Sequence, residues 1–176
     1  MQNEDSTATT TPFDFRIHNR QGQSVLFTRL SPQSIALELH NTSKSPLTLD
    51  ASESDYHFQL RFRLGTLVEY EKIELNENDK VNWALSVPIA TGEAAHRKSD
   101  MVLLYLRYQG ASALLLDPGN QISISLQDIV VDDRFGSHST QVELKYQKLV
   151  SEGNDKPLNG TCRHYLSIID SEPRPF

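Results

Sequence analysis

Phe58, Leu60, Phe62 and Leu64 are separated by Gln59, Arg61 and Arg63. Successive side chains of a strand point to opposite faces, so this alternation marks a segment with one buried and one wet face. Ile35, Leu37 and Leu39 stand in the same relation to Ala36, Glu38 and His40, and Ile122, Ile124 and Leu126 to Ser123, Ser125 and Gln127. Val142, Leu144 and Tyr146 alternate likewise with Glu143, Lys145 and Gln147. Val102, Leu104, Leu106 and Tyr108 alternate with Leu103, Tyr105 and Arg107, so that strand is apolar on both faces for much of its length. Its outer face is expected to lie under a loop or another subunit.

The pattern predicts about ten strands, over 13–18, 24–28, 34–40, 47–49, 56–64, 82–87, 101–108, 121–126, 140–148 and 163–169. Turn formers separate them. Asn19 to Gly22 ends in a glycine free to take positive φ, Asn41 to Pro46 ends in a residue without an amide donor, and Asp117 to Asn120 joins a preset φ to a free one. Asn76 to Lys80 and Ser151 to Gly160 read as longer surface loops, and 91–100 as the place for a short helical turn. No apolar stripe of 3.6-residue period is long enough for a major helix, and strands this closely spaced pair antiparallel.

Two one-faced sheets satisfy each other by packing about 10 Å apart, so the expected fold is all-β, a two-layer antiparallel β-sandwich, with a barrel as the alternative. The turn-separated strands Leu39 to Leu47 and Pro118 to Ile124 resemble immunoglobulin-like sandwiches in general architecture, although the Cys-Trp-Cys arrangement of true immunoglobulin domains is missing. Residues 1–11 are polar, Thr-rich and aperiodic, which reads as a disordered arm before a single domain over 12–176. Phe13 to Asn19 and His164 to Asp170 share an apolar-x-Ile-x-Asn/Asp pattern. By that pattern 164–176 is either the domain's last strand or the start of a second module, whose unpaired strand would exchange with a neighbour.

At 176 residues and 19.9 kDa, one core is enough. Seventeen basic against 23 acidic residues give a net charge of -6, which disfavours nucleic acid and acidic membranes as partners. No stretch is long and apolar enough for a membrane span, and the N-terminus lacks a signal-peptide pattern, so the cytoplasm is the expected compartment, with leaderless export as the alternative. Cys162 is the only cysteine, so neither an internal disulfide nor a thiolate zinc cluster is available, and it reads as a small buried hydrophobe. Asn41-Thr42-Ser43 and Asn159-Gly160-Thr161 match the glycosylation acceptor, which has meaning only on a secretory route.

Chemistry is thinly signposted. The histidines at 18, 40, 57, 96, 138 and 164 never take a metal-ligand spacing, and no cofactor motif is present. Asp128, Asp132 and Asp133 offer oxygen ligands at a strand end, where a loop would hold calcium if it held any metal. No nucleophile elbow or phosphate loop occurs. Gly136 to Ser139 sets hydroxyls beside His138, and Glu69, Glu71 and Glu74 supply carboxylates, but neither spacing defines a catalytic pair. Trp83 shares its parity with Leu85 and Val87, which favours the core, an exposed sugar-stacking site being the alternative. Arg61, Arg63, Tyr105 and Arg107 point outward and form a basic-aromatic patch if their strands are neighbours.

The first functional expectation is therefore a non-enzymatic structural or protein-interaction module, associating with a protein partner or with itself through a sheet edge. A carbohydrate-binding module built on Trp83 or the loop 128–138 is second. A hydrolase is third, and requires His138 or His164 to meet a carboxylate and a nucleophile in one cleft.

Overall fold

The computed structural model describes residues 12–30, 32–52, 55–63, 65–87, 101–153 and 156–171. Residues 1–11, the helical turn expected over 91–100, His96 and Leu64 lie outside the described residues. The strands are β1 (Phe13–His18), β2 (Val25–Phe27), β3 (Gln33–Asn41), β4 (Leu47–Leu49), β5 (Phe58–Arg63), β6 (Leu67–Val68) and β7 (Glu74–Leu75). They continue with β8 (Trp83–Ser86), β9 (Met101–Tyr108), β10 (Leu114–Leu116), β11 (Gln121–Val131), β12 (His138–Ser151) and β13 (Leu158–Ile169). Three short 3-10 turns cover Tyr70–Lys72, Asp79–Val81 and Asp133–Phe135.

The smaller sheet runs β1-β3-β11-β6, with β7 also on β11, and the larger runs β10-β4-β12-β5-β9-β8, with β13 on β12 and β2 on β13. The chain is a two-layer β-sandwich. Its lateral strand order is that of an immunoglobulin-like sandwich, β1, β3 and β11 standing as A, B and E and β13, β12 and β5 as G, F and C, while β6 and β7 beside β11 precede β9 beside β5 in the chain, the reverse of the C′-before-D order. One pair departs from the antiparallel expectation. After β1 the chain crosses from the smaller sheet to the larger, where β2 runs parallel to β13, Val25 to Phe27 lying beside Ser167 to Ile169. Asn19 makes that crossing possible: its Oδ1 accepts the amides of Gln21 and Gln23 while its Nδ2 donates to Val25 O.

The strand carrying residues 164–169 is β13, which pairs with β12 from Leu158 to Ile168 and, in parallel, with β2 of the same chain. Leu166 and Ile168, opposite Thr140 and His138 of β12, are buried in the core, and that burial repays the ordering of the strand.

The period-two reading fixes the core. Phe58, Leu60 and Phe62 of β5, Leu104 and Leu106 of β9, Leu37 and Leu39 of β3 and Val142 and Leu144 of β12 are all fully buried. Two strands run on through bulges. β11 shifts register between Leu126 and Ile129 at Asp128, and β12 between Tyr146 and Leu149 at Lys148; both residues take positive φ, 63° and 64°. The β12 bulge lies where its partner lane breaks between β4 and β5, and Gln147 N bonds His57 O across the break.

Asn41 closes the far end of β3. It is fully buried, its Nδ2 donates to Ser45 O and Leu116 O, and its Oδ1 accepts Ser43 N and Ser43 Oγ. With both amide hydrogens used inside the fold, Asn41 is no accessible acceptor in the folded chain.

Candidate interaction face

Registers on either side of β5 bring the outward residues of four strands together on the outer face of the larger sheet. Arg61 faces Glu143 on one side and Leu103 on the other, Glu143 faces Arg163, and Gln59 lies between Tyr105 and Lys145. Arg63 flanks Gln141 one step beyond the Phe62–Val142 pair, and Gln141 faces Tyr165. The strands of Arg61, Arg63, Tyr105 and Arg107 are therefore neighbours, and Lys145, Arg163 and Tyr165 of β12 and β13 extend the patch. Those last three were not singled out by the sequence reading, because nothing in a lone strand says which strand will lie beside it. Among the described strand residues, five cations share this face with one carboxylate, Glu143, on a chain of net charge -6.

The charges are unevenly engaged. Glu143 Oε1 accepts from Arg61 at 3.4 Å and its Oε2 from Arg163 at 3.3 Å, a ladder across β5, β12 and β13. Arg61 Nε also donates to Gln59 Oε1 at 2.7 Å. Arg107 donates to Ser52 O, and Tyr105 packs on Tyr56 at 4.9 Å, so the loop between β4 and β5 covers that end of β9, as the doubly apolar strand leads one to expect. Among the described residues the side chains of Arg63 and Lys145 form no hydrogen bond or ion pair, and Tyr165 is 68% exposed. Arg63, Ser139, Thr140, Gln141 and Tyr165 line a depression of about 290 Å³.

The other candidates are placed elsewhere. Trp83 is buried, its ring 5.4 Å from Tyr108 and 5.9 Å from Phe58, so the stacking role weighed for it is corrected to core packing; an aromatic next to Phe58 in the interior has no face left for a sugar. Asp128, Asp132 and Asp133 are not brought to one site. Asp132 is buried, caps the 3-10 turn through Arg134 N, and binds the Arg134 guanidinium, which holds its carboxyl below the usual range. Asp133 pairs with Arg29, and Asp128 lines a separate depression with Glu69, Glu71 and Glu74. Among the described residues no group of three or more His, Cys, Asp or Glu side chains is arranged to hold a metal ion.

Each described histidine is engaged by a hydrogen-bond partner, and His18 and His40 share one. On the outer face of the smaller sheet, His18 sets Nδ1 against Asn19 O and Nε2 against Glu38; both partners are acceptors, an arrangement that favours the protonated ring. The Asn19 bond and then Glu38 raise its pKa. His40 reaches the other Glu38 oxygen at 3.3 Å. His164 Nε2 donates to Ser24 Oγ, which itself donates to Ile17 O, and burial lowers the pKa of the ring. A serine whose hydroxyl proton is committed to a carbonyl is no activated nucleophile. His138 donates from Nδ1 to Gly136 O. Neither His138 nor His164 meets the arrangement a hydrolase requires.

Burial pushes the Cys162 thiol up to about 12. The thiolate is the reactive form, so a colourless thiol reagent at pH 8 is expected to leave native Cys162 unlabelled and to label it fully in denaturant, as a spectrophotometric time course will record.

No protein-family model matches the chain. No curated protein matches it in sequence. Among solved structures the chain is similar to AvmM, described as catalysing macrocyclization in alchivemycin A biosynthesis, at 7% identity and a TM-score of 0.47 over 94% of this chain and 93% of that one. It is also similar to the ASH/PapD-like domain 7 of human CEP192, at 10% identity and a TM-score of 0.31, covering 98% and 96% of the two chains. A third is ACE19, the collagen-binding subdomain of the Enterococcus faecalis surface protein ACE, at 10% identity and a TM-score of 0.28, covering 93% and 99%. These scores are low, and the sandwich rests on the strand pairing given above. What the pairing defines is an immunoglobulin-like β-sandwich module. No helix among the described residues is long and apolar enough to cross a membrane.

Proposed function

We propose that this chain is a non-enzymatic interaction module whose contact surface is the outer face of the larger sheet and whose partner is an acidic protein. The observation that carries the reading is the concentration of Arg61, Arg63, Arg107, Lys145 and Arg163, with Tyr105 and Tyr165, on one face of an acidic chain. Arginine and tyrosine supply the contact area and donors typical of interface hot spots, and a local positive field steers an acidic partner to this face against the repulsion of the rest.

Photo-crosslinking tests it. A photoreactive side chain installed at position 165 or 103 is expected to crosslink a discrete protein partner in the native extract, while the same group at position 123, on the outer face of the smaller sheet, gives none. Equal crosslinking from both faces, or from neither, overturns the reading. Light scattering on the purified chain reports whether the partner is a second copy.

A further inference from the structure

Resting on that reading of the face, we infer that its specific subsite takes an extended acidic segment of a protein, with one carboxylate at Arg63 in the depression beside Tyr165 and a second, four residues along the same segment, at Lys145. The inference comes from which charges are spent. Three rows cross the strands, with Arg63, Gln141 and Tyr165 in the first, Arg61, Glu143 and Arg163 in the second, and Gln59, Lys145 and Thr161 in the third. In the middle row both arginines are engaged by Glu143, which is only 16% exposed, so although the row keeps a net single positive charge, a ligand carboxylate over β12 there would sit on a like charge. The outer rows each present a cation with no partner, Arg63 and Lys145.

Spacing selects the ligand's conformation. Gln141 and Lys145 are four residues apart on one strand, about 13 Å. An extended peptide running along the sheet repeats its side chains on one face every second residue with the same rise, so its positions i and i+4 fall over the first and third rows and i+2 over the second. In a helix those positions are only about 6 Å apart along the axis, too close to span the two cations. The matching segment therefore carries Asp or Glu at i and i+4 and an uncharged residue at i+2.

Donor chemistry separates a peptide carboxylate from a neutral sugar. The depression offers the Arg63 guanidinium, the Gln141 amide and the hydroxyls of Ser139 and Tyr165. Among the described residues the carboxylate on this face, Glu143, is already capped by arginines, so the acceptors left for sugar hydroxyls are the neutral oxygens of Gln141, Ser139 and Tyr165. A carboxylate is all acceptor and matches the guanidinium fork.

The probes are capped seven-residue peptides of serine and threonine with glutamates at the second and sixth positions, or at the second and fourth, titrated into the full chain at low salt and followed by the amide and arginine Nε signals. The 2,6 peptide is expected to shift Arg63, Gln141 and Lys145, to bind about tenfold tighter than the 2,4 peptide, and to weaken about tenfold with Arg63→Ala or Lys145→Ala. Neither residue holds another in place, so both variants keep the wild-type melting temperature. Equal binding of the two peptides, binding unaffected by Arg63→Ala, or tighter binding of an oligouronate that shifts the same signals overturns the inference. If crosslinking through position 165 or 103 succeeds while Arg63 and Lys145 prove silent, the subsite fails and the face stands. If crosslinking also fails, both fall.

Discussion

Phe58→Ala is expected to lower stability by about 4 kcal/mol, the largest single-site loss in the chain. Phe58 is fully buried on β5 and stacks on Phe13 of the smaller sheet at 5.4 Å and 21°, so its ring joins the two layers. It also touches Trp83 at 5.9 Å and lies between Tyr146 and Leu106 in register. Truncation removes the ring's transfer free energy and leaves a cavity bounded by other rings that are pinned to their own strands and collapse poorly. A loss of this size is a large part of the roughly 5–15 kcal/mol that separates folded from unfolded domains. Urea titration at pH 7.5 measures it, and Arg63→Ala, on the opposite side of the same strand, serves as a control expected within about 0.5 kcal/mol of wild type.

His57→Ala is expected to cost about 3 kcal/mol and to change how stability responds to acid. His57 sits in the break between β4 and β5, where Nδ1 accepts the Tyr108 amide at 3.0 Å and Nε2–H donates to Asp50 O at 2.9 Å. Removing the imidazole leaves the buried Tyr108 amide without its acceptor beside a hole. Only the neutral ring fits these partners, and burial lowers its pKa from 6.5. The unfolded chain takes up a proton near pH 6.5 that the folded chain refuses, so stability contributed by neutral His57 is present above that pH and is lost as pH falls toward the lowered folded value. His164, also lowered by burial, acts in the same direction. His18 opposes them: its raised pKa gives a contribution present below pH 6.5 and lost as pH rises through the folded value. Urea midpoints from pH 5 to 8 are expected to show a shallower acid decline in His57→Ala than in wild type. An unchanged slope would remove His57 from the account.

The strands with clear alternation were legible because burial imposes the period directly: 13–18 and 101–108 match their observed bounds, and β3, β5, β8 and β12 differ only at the ends, while 47–49 was marked by the polar bend before it. β11 outruns its expected end because the bulge at Asp128 resets the alternation and hides the continuation to Val131. β6, β7 and β10 are two or three residues long, too short to show any period, and exist as strands through the neighbours they meet. The parallel β2–β13 pair was illegible for a related reason, since it joins segments 142 residues apart, as in the Thr28 to Asp170 hydrogen bond. Of the interaction face, Arg61, Arg63, Tyr105 and Arg107 were readable from parity within β5 and β9. Lys145, Arg163 and Tyr165 joined them only once the lateral order of strands was known. His57 shows the limit most clearly, because an imidazole locked between a distant amide and a loop carbonyl has no signature in its own neighbourhood of sequence.

The crossing of β2 to lie beside β13 has a consequence for the order of assembly during synthesis. A chain emerging from the ribosome makes β1 and β2 long before β13, and the partner that β2 needs, together with the long flank of β12, is missing until residues 158–169 have been translated. Such distant pairing is slow to form. Until then Leu26, Val142 and Leu144 wait without the strand that lies beside β2 and β12, so the nascent chain is exposed to misassociation until β13 arrives.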